Sequence, residues 1–257
     1  MGAFPQTPYF TGLNEPVGQE VELKGLTVEG TLPAEVRGSF FRAVPDPAYP
    51  PKFASDHTLS GDGMVSRLSF NADGTADFSI RFVETARHKA EKELGRARFG
   101  KYRNTFTDDE DVRGIDRTVA NTTPVWHAGR LLMAKEDGRP YRVDPRTLET
   151  IGSYDFDGAL KSETMTAHVR IDASTGELFF YGYEADGLAS KKVAYCIVGP
   201  DGVLKSEQWF DAPYCAMMHD FTISENYALF PIYPTTADRE RIEAGGEHWH
   251  HEPERAS

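Results

Sequence analysis

Eight histidines, His57, His88, His127, His168, His219, His248, His250 and His251, are the side chains here best suited to hold a metal ion or move a proton near neutral pH. Two of them share a setting. His168 closes Ser162-Glu-Thr-Met-Thr-Ala-His168, just before the strand-like run Val169 to Ile171. His219 lies in Cys215-Ala-Met-Met-His-Asp-Phe221, ahead of a second such run, Tyr227 to Ile232. Both occupy loop-to-strand junctions flanked by apolar residues, and in a radial β architecture such junctions converge on an axis where ligands or a pocket sit. No short motif such as HExxH ties the two together, so spacing alone does not assign a metal.

The other histidines read as structural. His88 falls in a charged helical stretch, where a solvated ring is expected. His127 precedes a Gly-Arg turn, and His57 precedes the Gly61-Asp-Gly63 turn, where it would orient a loop. The cluster Glu247-His-Trp-His-His-Glu252 contains metal-compatible groups. Neighbours on an extended chain point to opposite faces, however, so few could share one ion, and a surface segment is expected. Cys196 and Cys215 are the only cysteines and lack CxxC spacing, which excludes a disulfide framework and a cysteine zinc site.

The elements that must position these residues are mostly strands. Met64 to Phe70 and Thr75 to Val83 flank Asn71-Ala-Asp-Gly74. Leu131 to Lys135 and Tyr141 to Asp144 flank Glu136-Asp-Gly-Arg-Pro140. Val193 to Val198 and Val203 to Phe210 flank Gly199-Pro-Asp-Gly202. Each reads as a hairpin whose turn residues tolerate positive φ. Arg142-Val-Asp-Pro-Arg-Thr147 and Arg170-Ile-Asp-Ala-Ser-Thr175 echo one another, which suggests a repeating antiparallel unit that suits a β-propeller, although a β-sandwich uses the same local pieces. Glu84 to Arg98 reads as a surface helix or an ordered excursion between strands. Thr236 to Ala244 reads as a short helix ending at Gly245-Gly246, with Thr235 or Thr236 as N-cap. No linker divides the chain, so residues 1–257 are expected to form a single all-β domain.

Composition limits the partners. A net charge of −12 opposes nucleic acid and anionic lipid. No run approaches the ~20 apolar residues of a membrane-spanning helix. The first residues carry neither a basic nor an apolar leader segment, so the default expectation is a cytoplasmic protein.

Several segments together resemble the carotenoid cleavage oxygenase family, and within it the bacterial lignostilbene dioxygenases. Gly38-Ser-Phe-Phe-Arg42 with Pro45-Asp-Pro47 is similar to the family's early Gly-x-x-x-Arg…Pro-x-Pro signature. Leu59-Ser-Gly-Asp-Gly-Met64 resembles its Phe-Asp-Gly-Asp-Gly-Met turn, with the first two positions altered. Ala120-Asn-Thr-Thr-Pro-Val125, Leu131 to Glu136, Thr166-Ala-His168 and Met218-His-Asp-Phe221 follow in the family's order. The resemblance implies a seven-bladed β-propeller with Fe(II) on its axis held by four histidines, of which His168 and His219 match the first two. Nothing after His219 matches the third-ligand motif, a histidine shortly before Asn-Ala. The chain therefore resembles the N-terminal half of such an enzyme, lacking the C-terminal blades.

The same resemblance makes Glu136 the carboxylate that holds His219, whereas on residue type alone it reads as an exposed hairpin residue. It matches Tyr102 and Lys135 to the pair that binds the para-hydroxyl of a stilbene. Phe53, Phe99, Phe106 and Trp126 are candidates for aromatic walls or for core. The implied reaction is Fe(II)-dependent cleavage of the interphenyl double bond of 4-hydroxystilbenes by O2, giving two aromatic aldehydes. Another conjugated alkene, a carotenoid or an isoeugenol-type phenylpropenoid, is the alternative substrate, and a non-catalytic propeller fragment is the alternative class. A hydrolase lacks a nucleophile motif such as G-x-S-x-G. The implied partners are a small aromatic substrate and O2, with a homodimer left open.

Overall fold

The computed structural model describes residues 3–255 and consists of antiparallel sheets laid out in succession along the chain. The first sheet contains β1 (Val21–Leu26), β2 (Gly38–Pro45), β3 (Gly63–Phe70) and β4 (Ala76–Phe82), in the order β1-β4-β3-β2. After α1 (Ala86–Leu94), the second sheet runs in simple meander order through β5 (Thr123–His127), β6 (Arg130–Ala134), β7 (Tyr141–Val143) and β8 (Thr150–Ser153). The third repeats that order with β9 (Arg170–Ile171), β10 (Leu178–Tyr183), β11 (Lys192–Val198) and β12 (Leu204–Asp211). Two two-stranded sheets follow: β13 (Thr222–Ile223) with β14 (Ala228–Leu229), and β15 (Thr235–Ala237) with β16 (Trp249–His251), the second pair separated by α2 (Arg239–Glu243).

The period-2 alternation of strands explains how these sheets stack. On β6, Leu131 and Met133 face the first sheet and pack with Val65, Val83 and Val143, while Leu132 and Ala134 face the third and pack with Leu178, Phe180 and Cys196. On β10, Leu178 and Phe180 turn toward the second sheet, and Tyr181 and Tyr183 turn away toward Met218 and Phe221. The inner strands β6 and β10 are thus buried on both faces. Each leucine buried this way contributes about 1.5–3 kcal/mol.

All three expected hairpins form, at β3–β4, β6–β7 and β11–β12. The two sequence echoes build the same turn. Asp144 N–H bonds Glu149 O and Leu148 N–H returns to Asp144 O; likewise Asp172 N–H bonds Glu177 O and Gly176 N–H returns to Asp172 O. Yet one turn joins the third and fourth strands of its sheet and the other joins the first and second. The echo is one of turn chemistry, not of position in a repeat.

Several local expectations are corrected. The expected helix of residues 84–98 is shorter, capped by the Thr85 hydroxyl and stopped by Gly95 in the left-handed region. It is no free surface helix, because His88 is buried and meets the Asp62 carboxylate at 3.2 Å. Thr235 and Thr236 cap nothing: they lie in β15, and Asp238 caps α2 by accepting from Arg241 N–H at 2.8 Å. The strand expected over Tyr227 to Ile232 is reduced to Ala228–Leu229.

Candidate active site

The turn Leu59 to Met64 is knitted to the second sheet by side chains. Asn121 donates through Nδ2 to the carbonyls of Leu59 (3.1 Å) and Gly61 (2.8 Å). Lys135 Nζ donates to the Leu59 carbonyl (3.0 Å) and to Asn121 Oδ1 (3.3 Å). Gly63 is needed for close approach, since a Cβ there would stand 2.3 Å from the Val119 carbonyl oxygen. Asp62 points the other way, accepting from Ala48 N–H and facing His88.

Lys135 and Glu136 follow directly on β6, so burial of that strand carries them inward; both are more than nine-tenths buried. Lys135 Nζ lies 5.1 Å from the centroid of the Tyr102 ring. The Tyr102 hydroxyl donates to Glu136 Oε1 at 3.4 Å, and burial holds that phenol well above its ordinary pKa. Lysine, tyrosine and carboxylate therefore occupy one corner. His57 adjoins it, its ring 5.9 Å from that of Tyr102.

Two loops bring in the histidine pair. The Thr166 hydroxyl accepts from the His168 N–H (3.1 Å), and Thr166 N–H bonds the Tyr181 carbonyl (2.6 Å). In the second loop the Tyr181 hydroxyl donates to the Met218 carbonyl. Arg170 bridges the loops, donating through Nη2 to Asp220 Oδ1 and to the Phe221 carbonyl, each at 2.7 Å. The result is that His168 Nε2 and His219 Nε2, 51 residues apart in sequence, stand 3.1 Å from each other. His219 Nδ1 lies 2.8 Å from Glu136 Oε2.

Charges around the pair are balanced. Burial raises the Glu136 carboxyl, but the His219 hydrogen bond, the Arg103 charge and the Tyr183 hydrogen bond outweigh it and hold the group below its usual pKa. The Glu136 hydrogen bond raises the His219 imidazole against the opposing effect of partial burial.

This donor set fits a metal ion. Histidine nitrogens bind first-row divalent ions at about 2.1 Å, and two such bonds at a right angle put the nitrogens ~3.0 Å apart. With Nδ1–H of His219 directed at Glu136, its Nε2 lone pair is the one presented. Among the described residues no group of three or more His, Cys, Asp or Glu gathers around one ion position.

The remaining sequence candidates separate. His127 bonds the Gly176 carbonyl at 2.9 Å, and its role is structural. The tail is not wholly a surface segment: His250 and His251 are exposed, but His248 is fully buried and meets Glu184 Oε2 at 3.1 Å. Phe99 is core, whereas Phe106 and Trp126 are exposed. Arg103, Asn121, Tyr183 and Glu184 all bear on the site or its support, and no motif singled them out for those roles. The run Lys101-Tyr-Arg-Asn104 has no periodicity or spacing that marks an arginine as buried. A cleft of about 550 Å³, lined by Asp116, Asp137, Arg139 and Glu163 among others, does not include the histidine pair. Within that lining Arg139 donates to the carbonyls of Leu160 and Ser162, and Asp137 accepts from the Thr118 hydroxyl.

A family profile described as RPE65, retinal pigment epithelial membrane protein, matches residues 14–257. The chain is 46% identical over 252 residues to isoeugenol monooxygenase of Pseudomonas nitroreducens, covering 97% of this chain and 52% of that protein. It is 43% identical over 249 residues to lignostilbene-alpha,beta-dioxygenase isozyme III of Sphingomonas paucimobilis, covering 97% and 51%. It superposes on the crystal structure of Pseudomonas brassicacearum lignostilbene dioxygenase with a TM-score of 0.94 and 44% identity, covering 98% of this chain and 52% of that one. The chain spans about half the length of the curated relatives it matches.

Proposed function

The chain belongs to the RPE65, or carotenoid cleavage oxygenase, family, and from that membership we propose that it carries one side of the metal and substrate site of an Fe(II)-dependent dioxygenase cleaving the alkene of 4-hydroxystilbenes. The fold of this reading is a seven-bladed propeller, to which residues 1–257 contribute a single domain of roughly half the blades. The observation that carries it is the convergence of His168 and His219 at 3.1 Å beside a Glu136 that holds one of the two rings.

When bound, ferrous iron would supply the chemistry that lets dioxygen react with an alkene. His168 and His219 would be two of its ligands through Nε2. Glu136 keeps a proton on His219 Nδ1 and so fixes the ring's orientation.

The substrate's phenol is the task of Lys135 and Tyr102. An ammonium has three N–H bonds, and two of Lys135's go to Leu59 O and Asn121 Oδ1, leaving one for a substrate oxygen. Its charge favours the phenolate and lowers the substrate's pKa. Electron release through the conjugated ring then activates the double bond. The Tyr102 hydroxyl stays protonated, and its bond to Glu136 at 3.4 Å is long for an O–H donor, so it turns to a substrate oxygen at little cost. The reaction balances without a reductant: the alkene and one O2 give two aldehydes.

A phenylpropenoid substrate is the second reading, favoured by the 46% identity to an isoeugenol monooxygenase. Isoeugenol also joins a 4-hydroxyphenyl ring to an alkene, so the same clamp serves both. The test is iron content together with turnover. The protein should bind about one Fe(II), and His168→Ala or His219→Ala should lose it along with activity. A 4-hydroxystilbene should be cleaved and its 4-methoxy analogue should not. Full iron and activity in either histidine variant would refute the ligand assignment, and equal turnover of both stilbenes would refute the phenolate role. The ratio of stilbene to isoeugenol turnover decides between the two substrates.

A further inference from the structure

Tyr102 is the second residue of a tight turn, Lys101 to Asn104, closed by the Asn104 N–H bonding the Lys101 carbonyl at 3.0 Å. The third residue, Arg103, adopts the left-handed conformation at φ 54°, which a non-glycine residue keeps only where its surroundings over-determine it. Those surroundings lie far away in sequence. Asn104 is fully buried and donates through Nδ2 to the carbonyls of Ile242 (2.9 Å) and Gly246 (2.8 Å), while its Oδ1 accepts from Phe106 N–H at 3.0 Å. Lys101 Nζ donates to the Gly245 carbonyl at 3.1 Å and pairs with Glu247 at 2.8 Å. Arg103 pairs with Glu184, which also meets His248 at 3.1 Å, and Trp249 covers the guanidinium at 5.5 Å.

Lys101, Arg103 and Asn104 are thus fastened, directly or through Glu184, to the segment that runs from the end of α2 into β16. Tyr102 turns instead to the phenol clamp, where its hydroxyl meets Glu136 and its ring lies 5.1 Å from Lys135 Nζ. Docking of the C-terminal segment accounts for contacts of this kind. It does not account for their convergence on the residues that flank Tyr102. A tyrosine has few side-chain torsions, so fixing the backbone on either side of it fixes where its hydroxyl can reach.

We propose that Asn104 and Lys101 are positioning residues for Tyr102: by seating the turn on the loop after α2, they place the tyrosine hydroxyl where it meets the phenolic oxygen of a substrate. The proposal rests on the clamp reading of Lys135 and Tyr102. It makes recognition of the phenol depend on contacts made 138 to 144 positions away in the chain.

Two variants of the full, metal-free chain test it. Asn104→Ala removes both amide donors, and Lys101→Met removes the contacts to Gly245 and Glu247 without burying a charge; should Asn104→Ala not fold, Lys101→Met decides alone. The first readout is the NMR signal of ring-labelled tyrosines, with Tyr102 assigned by Tyr102→Phe. In both variants the Tyr102 signal should shift, while that of Tyr154, in the core between the second and third sheets, should stay. The second readout is affinity for 4-hydroxystilbene relative to stilbene itself, followed by stilbene fluorescence. The native chain should favour the hydroxylated compound. That preference should fall about fivefold in Asn104→Ala, the worth of one hydrogen bond, and match Tyr102→Phe, with Lys101→Met moving in the same direction. A native preference with an unmoved Tyr102 signal in Lys101→Met would overturn the proposal, as would a folded Asn104→Ala that binds like the native chain. If the native chain binds both compounds alike, the clamp reading fails instead, and the Tyr102 signal still decides the positioning role.

Discussion

At the scale of single residues, Lys135 shows how one side chain joins structure to chemistry. It is buried, it braces the Leu59 turn, and on the proposed reading its third N–H bond would serve a substrate oxygen. Replacing it by methionine keeps the stem and removes the charge. We expect kcat/KM for a 4-hydroxystilbene to fall about 10²-fold in Lys135→Met, the size typical for loss of one aligned donor. The sign of the pH effect follows from the phenolate. On the proposed reading Lys135 would let the substrate ionise below its free pKa, and without it activity should rise with pH toward a phenol's ordinary value of about 10. A variant with unchanged pH dependence would show that the ammonium does not face the phenol. Lys135, Tyr102, Glu136, His168 and His219 were singled out through the family resemblance, and the structure gathers Lys135 with Tyr102 and Glu136 with His219 and His168. Their mutual distances were not legible in the sequence, nor was Arg103, because a buried arginine has the same sequence signature as a solvated one.

At the scale of elements, α1 illustrates what charge patterning hides. Its composition is that of a solvated helix, yet His88 and Glu91 point inward, the first to Asp62 and the second to the amides of Arg98 and Phe99. Polar residues that satisfy one another inside a fold look, in a linear reading, like residues that face water. Asp62 provides a pH test. Burial raises its carboxyl, but the His88 hydrogen bond and the charges of Arg87 and His88, with the Ala48 amide, outweigh that and hold it below the ordinary value of 3.8. A carboxyl depressed in the folded state stabilises the fold above its unfolded pKa, and that contribution is lost as pH falls through the folded pKa. Thermal melts should therefore show native stability declining below about pH 4, with a shallower decline in Asp62→Asn. Parallel acid limbs in the two proteins would mean that the aspartate–histidine contact carries no net stabilisation.

At the scale of the whole molecule, the apolar surface is unevenly covered. The inner strands β6 and β10 are packed on both faces, whereas Trp209 and Phe210 on the edge strand β12, Tyr227, Leu229 and Tyr233 beyond it, and Phe40 on β2 remain substantially exposed. Edge strands with exposed aromatic residues template association with other chains. The 257-residue chain by itself is expected to self-associate at micromolar concentration in light scattering, and Tyr227→Lys with Leu229→Lys should reduce that. A monodisperse native chain would contradict the expectation. No helix among the described residues is long and apolar enough to cross a membrane.

The hairpins, the all-β class and the order of the motifs could be read from the sequence because each depends on neighbours: alternation over a few residues and turn chemistry over four. The meeting of His168 with His219, the burial of His88 and His248, and the buried pairing of Glu184 with both Arg103 and His248 were decided only in three dimensions. They join residues tens of positions apart, and what brings them together is the packing of whole sheets, to which no local pattern in the chain refers.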